Sequence, residues 1–320
     1  MKYVFGPVRS RRLGRSLGVN NIPYKTCTYS CIYCQLGRTV SLTVERRFFY
    51  DPEDIIGEVV RFIGEAGSQV DYITFVPDGE PLLDRGLGRE IRGIKERVQT
   101  PVAVLTNTSL LFYEDVRSDL LDADLVSLKV DAVTEGVWRR VNRPHPSLNL
   151  ARILEGAREF ARAFKGKLIT ETMLVEGFNT STEEMSLIAE LVRELNPWKA
   201  YLAIPIRPPA ESYVKPPPPG KLVEAYVSFS SKLGTRVELL NIPEPPELAV
   251  HGDAEKWLLN LVSVHPLRLE YAIEALSGAA EEPENLLERL VEEGEIEIVT
   301  YLDNKFVVRA WRKSTHRQNQ

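Results

Sequence analysis

The chain has three cysteines, and all fall within one stretch, Cys27-Thr28-Tyr29-Ser30-Cys31-Ile32-Tyr33-Cys34. Thiolates are soft ligands that favour zinc or iron–sulfur clusters. Three of them cannot fill a tetrahedral site. Either a fourth ligand comes from elsewhere, or one metal position stays open, and an open position is where chemistry happens. Zinc completed by a histidine is one alternative, although zinc sites normally present paired C-x2-C or C-x2-C with spaced His. Structural core cysteines are a second, but these are usually dispersed along a chain. A disulfide role fits poorly. The count is odd, and Met1 to Pro7 lacks the apolar core and small-residue cleavage site of a secretory signal.

The spacing C-x3-C-x2-C, with aromatic Tyr33 just before the last cysteine, resembles the signature of the radical S-adenosylmethionine (SAM) superfamily. Residues 5–18 and the run Gln35-Leu-Gly-Arg-Thr39 are similar to a branch labelled Fe–S oxidoreductases, related to wyosine-type tRNA-modification enzymes. The resemblance implies one [4Fe–4S] cluster held by Cys27, Cys31 and Cys34, with the unligated iron chelating the methionine end of SAM. It also implies a reduced flavodoxin- or ferredoxin-like electron donor. Reductive cleavage of SAM then gives a 5′-deoxyadenosyl radical that abstracts a substrate hydrogen. The cofactors carry this chemistry, while the protein orients and shelters it.

Elements that could position such a loop alternate along the chain. Residues 1–20 read as irregular, punctuated by Gly6, Pro7, Gly14 and Gly18, with a short strand from Val19 to Pro23. A helix starts at Asp51-Pro52-Glu53-Asp54 and carries Ile55, Ile56, Val59, Val60 and Ile63 at helical spacing. Strands are expected at 71–76, 102–106, 125–130, 167–175, 199–206 and 236–240. Helices are expected at 88–98, 114–121, 150–164, 182–195 and 221–233. This alternation predicts right-handed crossovers and a parallel sheet. A partial (β/α)6 barrel of radical SAM type fits, and an open doubly wound sheet is the alternative. The cysteine loop after the first strand favours the barrel, where active residues gather at the C-terminal strand ends.

Beyond residue 240 the organisation changes. Residues 241–252 read as a Pro- and Glu-rich linker. Residues 253–313 predict three helices and a hairpin, a winged-helix-like α+β accessory domain, followed by a basic tail at 314–320. The third helix, 283–293, is acidic, so a docking role for a protein partner fits it better than a DNA major groove.

The strand ends supply candidate cofactor contacts. Gly79-Glu80-Pro81 looks like the superfamily's Gly-Glu-Pro element for the methionine amino group, with Asp78 standing where the family has a first glycine. The same residues would also make a turn, since Pro-Asp-Gly is a strong turn sequence. Asn107, after the third strand, suits a ribose or carboxylate and equally a helix cap. Ser127 and Lys129 end the fourth strand, and Lys129 within an apolar run is expected to face the barrel lumen and hold a carboxylate, such as that of SAM, or else to be an edge-strand lysine. Glu171 lies on the fifth. Tyr33 completes the cofactor set. Asn142, Arg143 and His145 in the Asn-Arg-Pro-His run, together with Arg207, are the substrate candidates, although a histidine in a loop is more often not catalytic.

The whole chain has 320 residues, 43% hydrophobic and 27% charged, with a net charge of −5, as ordinary globular proteins do. No apolar run approaches a membrane span, and the cytoplasm is the default for an oxygen-sensitive cluster. Residues 1–50 hold nine basic residues against one acidic (+8), and residues 251–300 hold twelve acidic against three basic (−9). Arg9, Arg11 and Arg12 in the basic segment suit an anionic substrate such as RNA, or simply a solvated face. The absence of further cysteines argues against cysteine-ligated auxiliary clusters. It therefore argues against methylthio insertion, multi-cluster peptide maturation and 4-demethylwyosine synthase itself. RNA methylation through a methyl-carrying cysteine is disfavoured likewise. Three functions remain: a one-cluster enzyme acting on RNA, the same enzyme acting on a protein, peptide or small molecule, and a non-catalytic iron–sulfur sensor.

Overall fold

The first twenty residues, expected to be irregular, form a hairpin. β1 (Val4–Ser10) pairs antiparallel with β2 (Gly14–Val19), with an irregularity between Phe5 and Val8. Gly18, read as a breaker, serves packing: a β-carbon there would lie 2.1 Å from the Phe5 ring, so only glycine lets the ring cross the strand. The strand expected from Val19 to Pro23 ends at Val19.

The computed structural model describes residues 2–66, 70–241, 250, 252–280 and 282–310. The chain divides into two compact units at residues 244/245. In the first, β3 (Thr26–Cys27) and β4 (Ser41–Leu42) form a small parallel pair around the cysteine loop. Then follow α1 (Pro52–Ala66), β5 (Tyr72–Phe75), α2 (Leu87–Lys95), β6 (Val102–Thr106), α3 (Glu114–Leu120) and β7 (Leu125–Lys129). Next come α4 (Glu135–Val141), α5 (Leu150–Ala163), β8 (Lys167–Met173), α6 (Thr182–Leu195), β9 (Lys199–Ala203), α7 (Pro219–Leu233) and β10 (Val237–Leu240). Helix α4 was not expected; it closes over the core through Trp138, which is 2% exposed.

The sheet order is β1-β2-β5-β6-β7-β8-β9-β10, parallel from β2 onward. A doubly wound sheet reverses its strand order at a switch point. This order never reverses, so right-handed crossovers put every helix on one face. The result is an incomplete (β/α) barrel, six β/α units closed by β10, and the doubly wound alternative falls. Alternation along each strand separates two cores. Val102, Val104, Val126, Leu128 and Leu168 face the helices. Ala103, Leu125, Ile169, Tyr201, Ala203 and Leu240 face inward, where Leu13 at the hairpin tip joins them.

The second unit contains α8 (Ala254–Val264), β11 (Leu267–Arg268), α9 (Leu269–Leu276), α10 (Pro283–Glu292), β12 (Ile296–Tyr301) and β13 (Asn304–Arg309). Its sheet order is β11-β13-β12, antiparallel throughout. Asp253 caps α8 by accepting from Lys256 N at 2.9 Å, and Trp257, Leu261, Leu276, Leu290 and Phe306 are buried. Residues 242–249 and 251 of the expected linker, 311–313, and the expected basic tail at 314–320 lie outside the described residues. Among the described residues, no helix is long and apolar enough to cross a membrane.

Candidate functional site

The cysteine loop follows β2 and is held on both sides by main-chain bonds. On one side Lys25 N donates to Asp78 O (3.0 Å) and Glu80 N donates to Thr26 O (3.2 Å). A β-carbon at Gly79 would fall 1.8 Å from Thr26 O, so this glycine is required by close approach of two backbones. On the other side Ser30 N donates to Asn142 O (3.0 Å), Ile32 N to Val141 O (3.0 Å) and His145 N to Thr28 O (2.9 Å). The loop after β5 and the end of α4 thus bracket the cysteines.

Glu80 fixes this frame from within. It accepts from Thr106 Oγ1 (2.6 Å), Asn107 N (2.7 Å) and Leu82 N (3.1 Å), capping the short turn that Pro81 begins. Burial pushes its pKa up to about 7, against these donors. Asp78 accepts from Asn20 Nδ2 at 2.9 Å, and burial likewise raises it to about 7. The carboxyl of Glu80 is therefore occupied by the fold, and main chain is what this turn offers a ligand.

Each cysteine sulfur faces one side-chain N–H donor from a different segment. Asn107 Nδ2 lies 3.5 Å from Cys27 Sγ, Asn142 Nδ2 3.5 Å from Cys31 Sγ, and Lys25 Nζ 3.2 Å from Cys34 Sγ. The three thiols are half-buried and unpaired with one another. Burial, then the Asp131 charge, pushes Cys31 up to about 11, and burial with Glu80 raises Cys27 further. Among the described residues, no three His, Cys, Asp or Glu side chains already stand as a ligand set for an ion. The chemistry of the donors still fits a thiolate-bound cluster, because soft sulfurs on one loop each meet a donor able to bond a ligating sulfur.

The inner barrel wall carries the rest. Register places Lys129, Glu171, Tyr201 and Glu238 in one row across β7 to β10. Lys129 Nζ donates to Glu171 Oε1 at 2.7 Å, and Arg12 pairs with the other Glu171 oxygen. Lys129 thus faces a carboxylate of the protein itself, that of Glu171. Ser127, 4% exposed, lies on the same face. Tyr33 is buried; its hydroxyl donates to Asp131, and Lys129 Nζ sits 5.0 Å above its ring. Asn142 donates to the same Asp131 oxygen at 2.8 Å.

The substrate candidates scatter. Arg9 is exposed, Arg11 half-buried, and Arg12 turns inward to Glu171. Arg143 grips Glu211 and donates to Tyr213 Oη at 2.7 Å. Arg38 grips Glu211 too, through two bonds of 2.9 Å. Arg207 donates to Gln35 Oε1 at 3.1 Å. His145 Nδ1 bonds Ser147 Oγ at 2.8 Å within its own turn. Three residues escaped the sequence reading: Lys25, Asp131 and Glu211. A lysine two places before Cys27 and an aspartate two after Lys129 were visible signals. Glu211 offered none, because it acts across 173 positions of sequence.

Against known proteins, residues 21–188 match the model of the "Radical SAM superfamily". The chain is 45% identical over 298 residues to "UPF0026 protein MJ1312" of Methanocaldococcus jannaschii, covering 92% of each. It is 31% identical over 295 residues to a protein of Brachyspira hyodysenteriae named "GTPase Obg", covering 92% of this chain and 43% of that one. In fold it is similar to Streptococcus suis SuiB bound to S-adenosylmethionine, with a TM-score of 0.51 at 14% identity, covering 70% of this chain and 51% of that one.

Proposed function

We propose, on the premise that this chain belongs to the radical SAM superfamily, that it is an enzyme using one [4Fe–4S] cluster and SAM to modify RNA. Cys27, Cys31 and Cys34 would hold the cluster. The observation that carries this is the matching of three sulfurs with three N–H donors at the C-terminal end of an incomplete barrel. When bound, such a cluster supplies the electron that opens the sulfonium of SAM.

The chain's own residues bind and orient. The main chain of Gly79-Glu80-Pro81 offers acceptors to the methionine ammonium, and Asn107 and Ser127 offer polar contacts deeper in. Lys129 and Glu171 set the charge of the inner wall, and Tyr33 closes it beneath Lys129. The segment around Glu211, tied to Arg38 and Arg143, covers the cysteine loop and limits water. A reduced flavodoxin- or ferredoxin-like donor would act in the cytoplasm. Residues 1–240 form the catalytic domain in this reading. Residues 253–313 would be a winged-helix-like module that docks a partner.

The RNA reading rests on the basic first fifty residues and on Arg207 beside the cysteine loop. One observation favours a peptide or small molecule instead: Arg12, Arg38 and Arg143 spend their charge on Glu171 and Glu211. Salt-sensitive RNA binding, lost on neutralising Arg9 and Arg11, would favour the first.

The test is anaerobic reconstitution followed by SAM and dithionite, with Cys31→Ala as control. Cluster formation and 5′-deoxyadenosine that vanish in the control are expected. A protein that builds no iron–sulfur cluster overturns the proposal and returns zinc to first place.

A further inference from the structure

Lys25 is 3% exposed and sits in the left-handed region, with φ 52°. Its ammonium donates to Gly37 O at 2.6 Å and to Cys34 Sγ at 3.2 Å. Among the described residues no carboxylate lies within ion-pair distance of it, although its charge acts on the buried Asp78 nearby. A buried cation is costly unless it is paired or hydrogen-bonded. Among the described residues, the one group in bonding contact with the ammonium that can carry negative charge is the Cys34 sulfur. The donors facing Cys27 and Cys31 are neutral amides, so of the three sulfurs Cys34 is the one hydrogen-bonded by a cation.

We infer that Lys25 is a positioning residue for the cluster, whose charge against Cys34 raises the cluster's reduction potential; this rests on the function proposed above. Reduction adds one electron, drawn from the external donor, and hence one negative charge. A fixed cation beside a ligating sulfur favours the more negative state. Net charge and hydrogen bonds to the sulfurs are established levers on such potentials. The bond to Gly37 O, three residues past Cys34, keeps the charge in place as the loop turns away.

The experiment is an anaerobic redox titration, followed by electron paramagnetic resonance, of reconstituted wild type, Lys25→Met and Lys25→Arg. In Lys25→Met, reduction should become about tenfold less favourable, a midpoint lower by about 59 mV for one electron. Lys25→Arg, which keeps the charge, should recover most of the difference. Should Lys25→Met hold no cluster, Lys25→Gln, a neutral polar side chain, carries the same comparison and the same expected fall. A variant cluster with a midpoint equal to wild type shows a merely structural lysine and overturns this inference alone. A wild type that builds no cluster overturns the proposed function and this inference with it.

Discussion

Gly79 lies against the carbonyl of Thr26 so closely that a β-carbon would stand 1.8 Å from its oxygen. The obstacle is backbone, and the same carbonyl accepts from Glu80 N, so it cannot swing aside cheaply. Gly79→Ala should therefore lift the cysteine loop off the turn after β5. The expected loss is about 1–3 kcal/mol of stability, the range for overpacking, together with a fall in iron bound per chain after reconstitution. Denaturant midpoints and iron content check it, and wild-type values for both would refute the packing argument.

Glu171 is the common acceptor for Lys129 and Arg12, on an inner wall where these side chains are only 12–21% exposed. Removing the carboxylate leaves two cations facing each other in poor solvent. Glu171→Ala should cost about 3 kcal/mol in chemical denaturation. Removing a cation as well should return part of it, so Glu171→Ala with Arg12→Met should be more stable than Glu171→Ala alone. Purely additive losses would mean that the pairs contribute nothing together.

Glu211 is held below the usual carboxylate range, first by the bidentate Arg38 and then by Arg143. A depressed pKa contributes stability that is present above the unfolded value and lost as pH falls through the lower, folded value. At neutral pH, Glu211→Gln should raise amide exchange in residues 205–218 and around Cys34, which this side chain joins. Wild type should show the same opening only in acid. Unchanged exchange in the variant would show that Ile32 O, which accepts from Glu211 N at 3.1 Å, holds the segment alone.

What could be read in advance was what depends on local pattern. The cysteine triplet, the Asp51-Pro52 helix start and the period-two strands each announce themselves over a few residues. The N-terminal hairpin was hidden because Gly6, Gly14 and Gly18 resemble breakers until the Phe5 ring is seen lying across Gly18. Helix α4 was hidden because Gly136 and the β-branched Val137 lower helix propensity within a seven-residue segment. The candidate site divided in the same way. Cys27, Cys31 and Cys34 are legible by spacing. Lys25 and Asp131 depend on which groups the fold places 3 Å away, and Arg12 reads as surface charge until its strand tip is found inside the barrel.

The buried pair Asp84 and Glu90 yields the last prediction. Both are fully buried, and the Asn21 amide beside Glu90 offsets little of that burial, since neither Glu90 oxygen has a donor in good hydrogen-bond geometry among the described residues. Burial first, and then the Asp84 charge, pushes Glu90 up to about 9, while Asp84 is raised to about 6. Two carboxyls this close titrate as a unit, and at neutral pH the pair keeps one proton, with Glu90 donating to Asp84. The folded state then binds more protons than the unfolded one between the ordinary glutamate pKa and about 9. Stability contributed by this pair must fall as pH rises through that window, by at most about 1.4 kcal/mol per pH unit for one retained proton. Glu90→Gln keeps a donor for Asp84 and removes the linkage. Urea midpoints for wild type and Glu90→Gln should lie close together at pH 5 and diverge by pH 9, with the variant more stable. Parallel midpoints across the range would mean that Glu90 is already ionised at neutral pH, with its charge met by a group outside the pair.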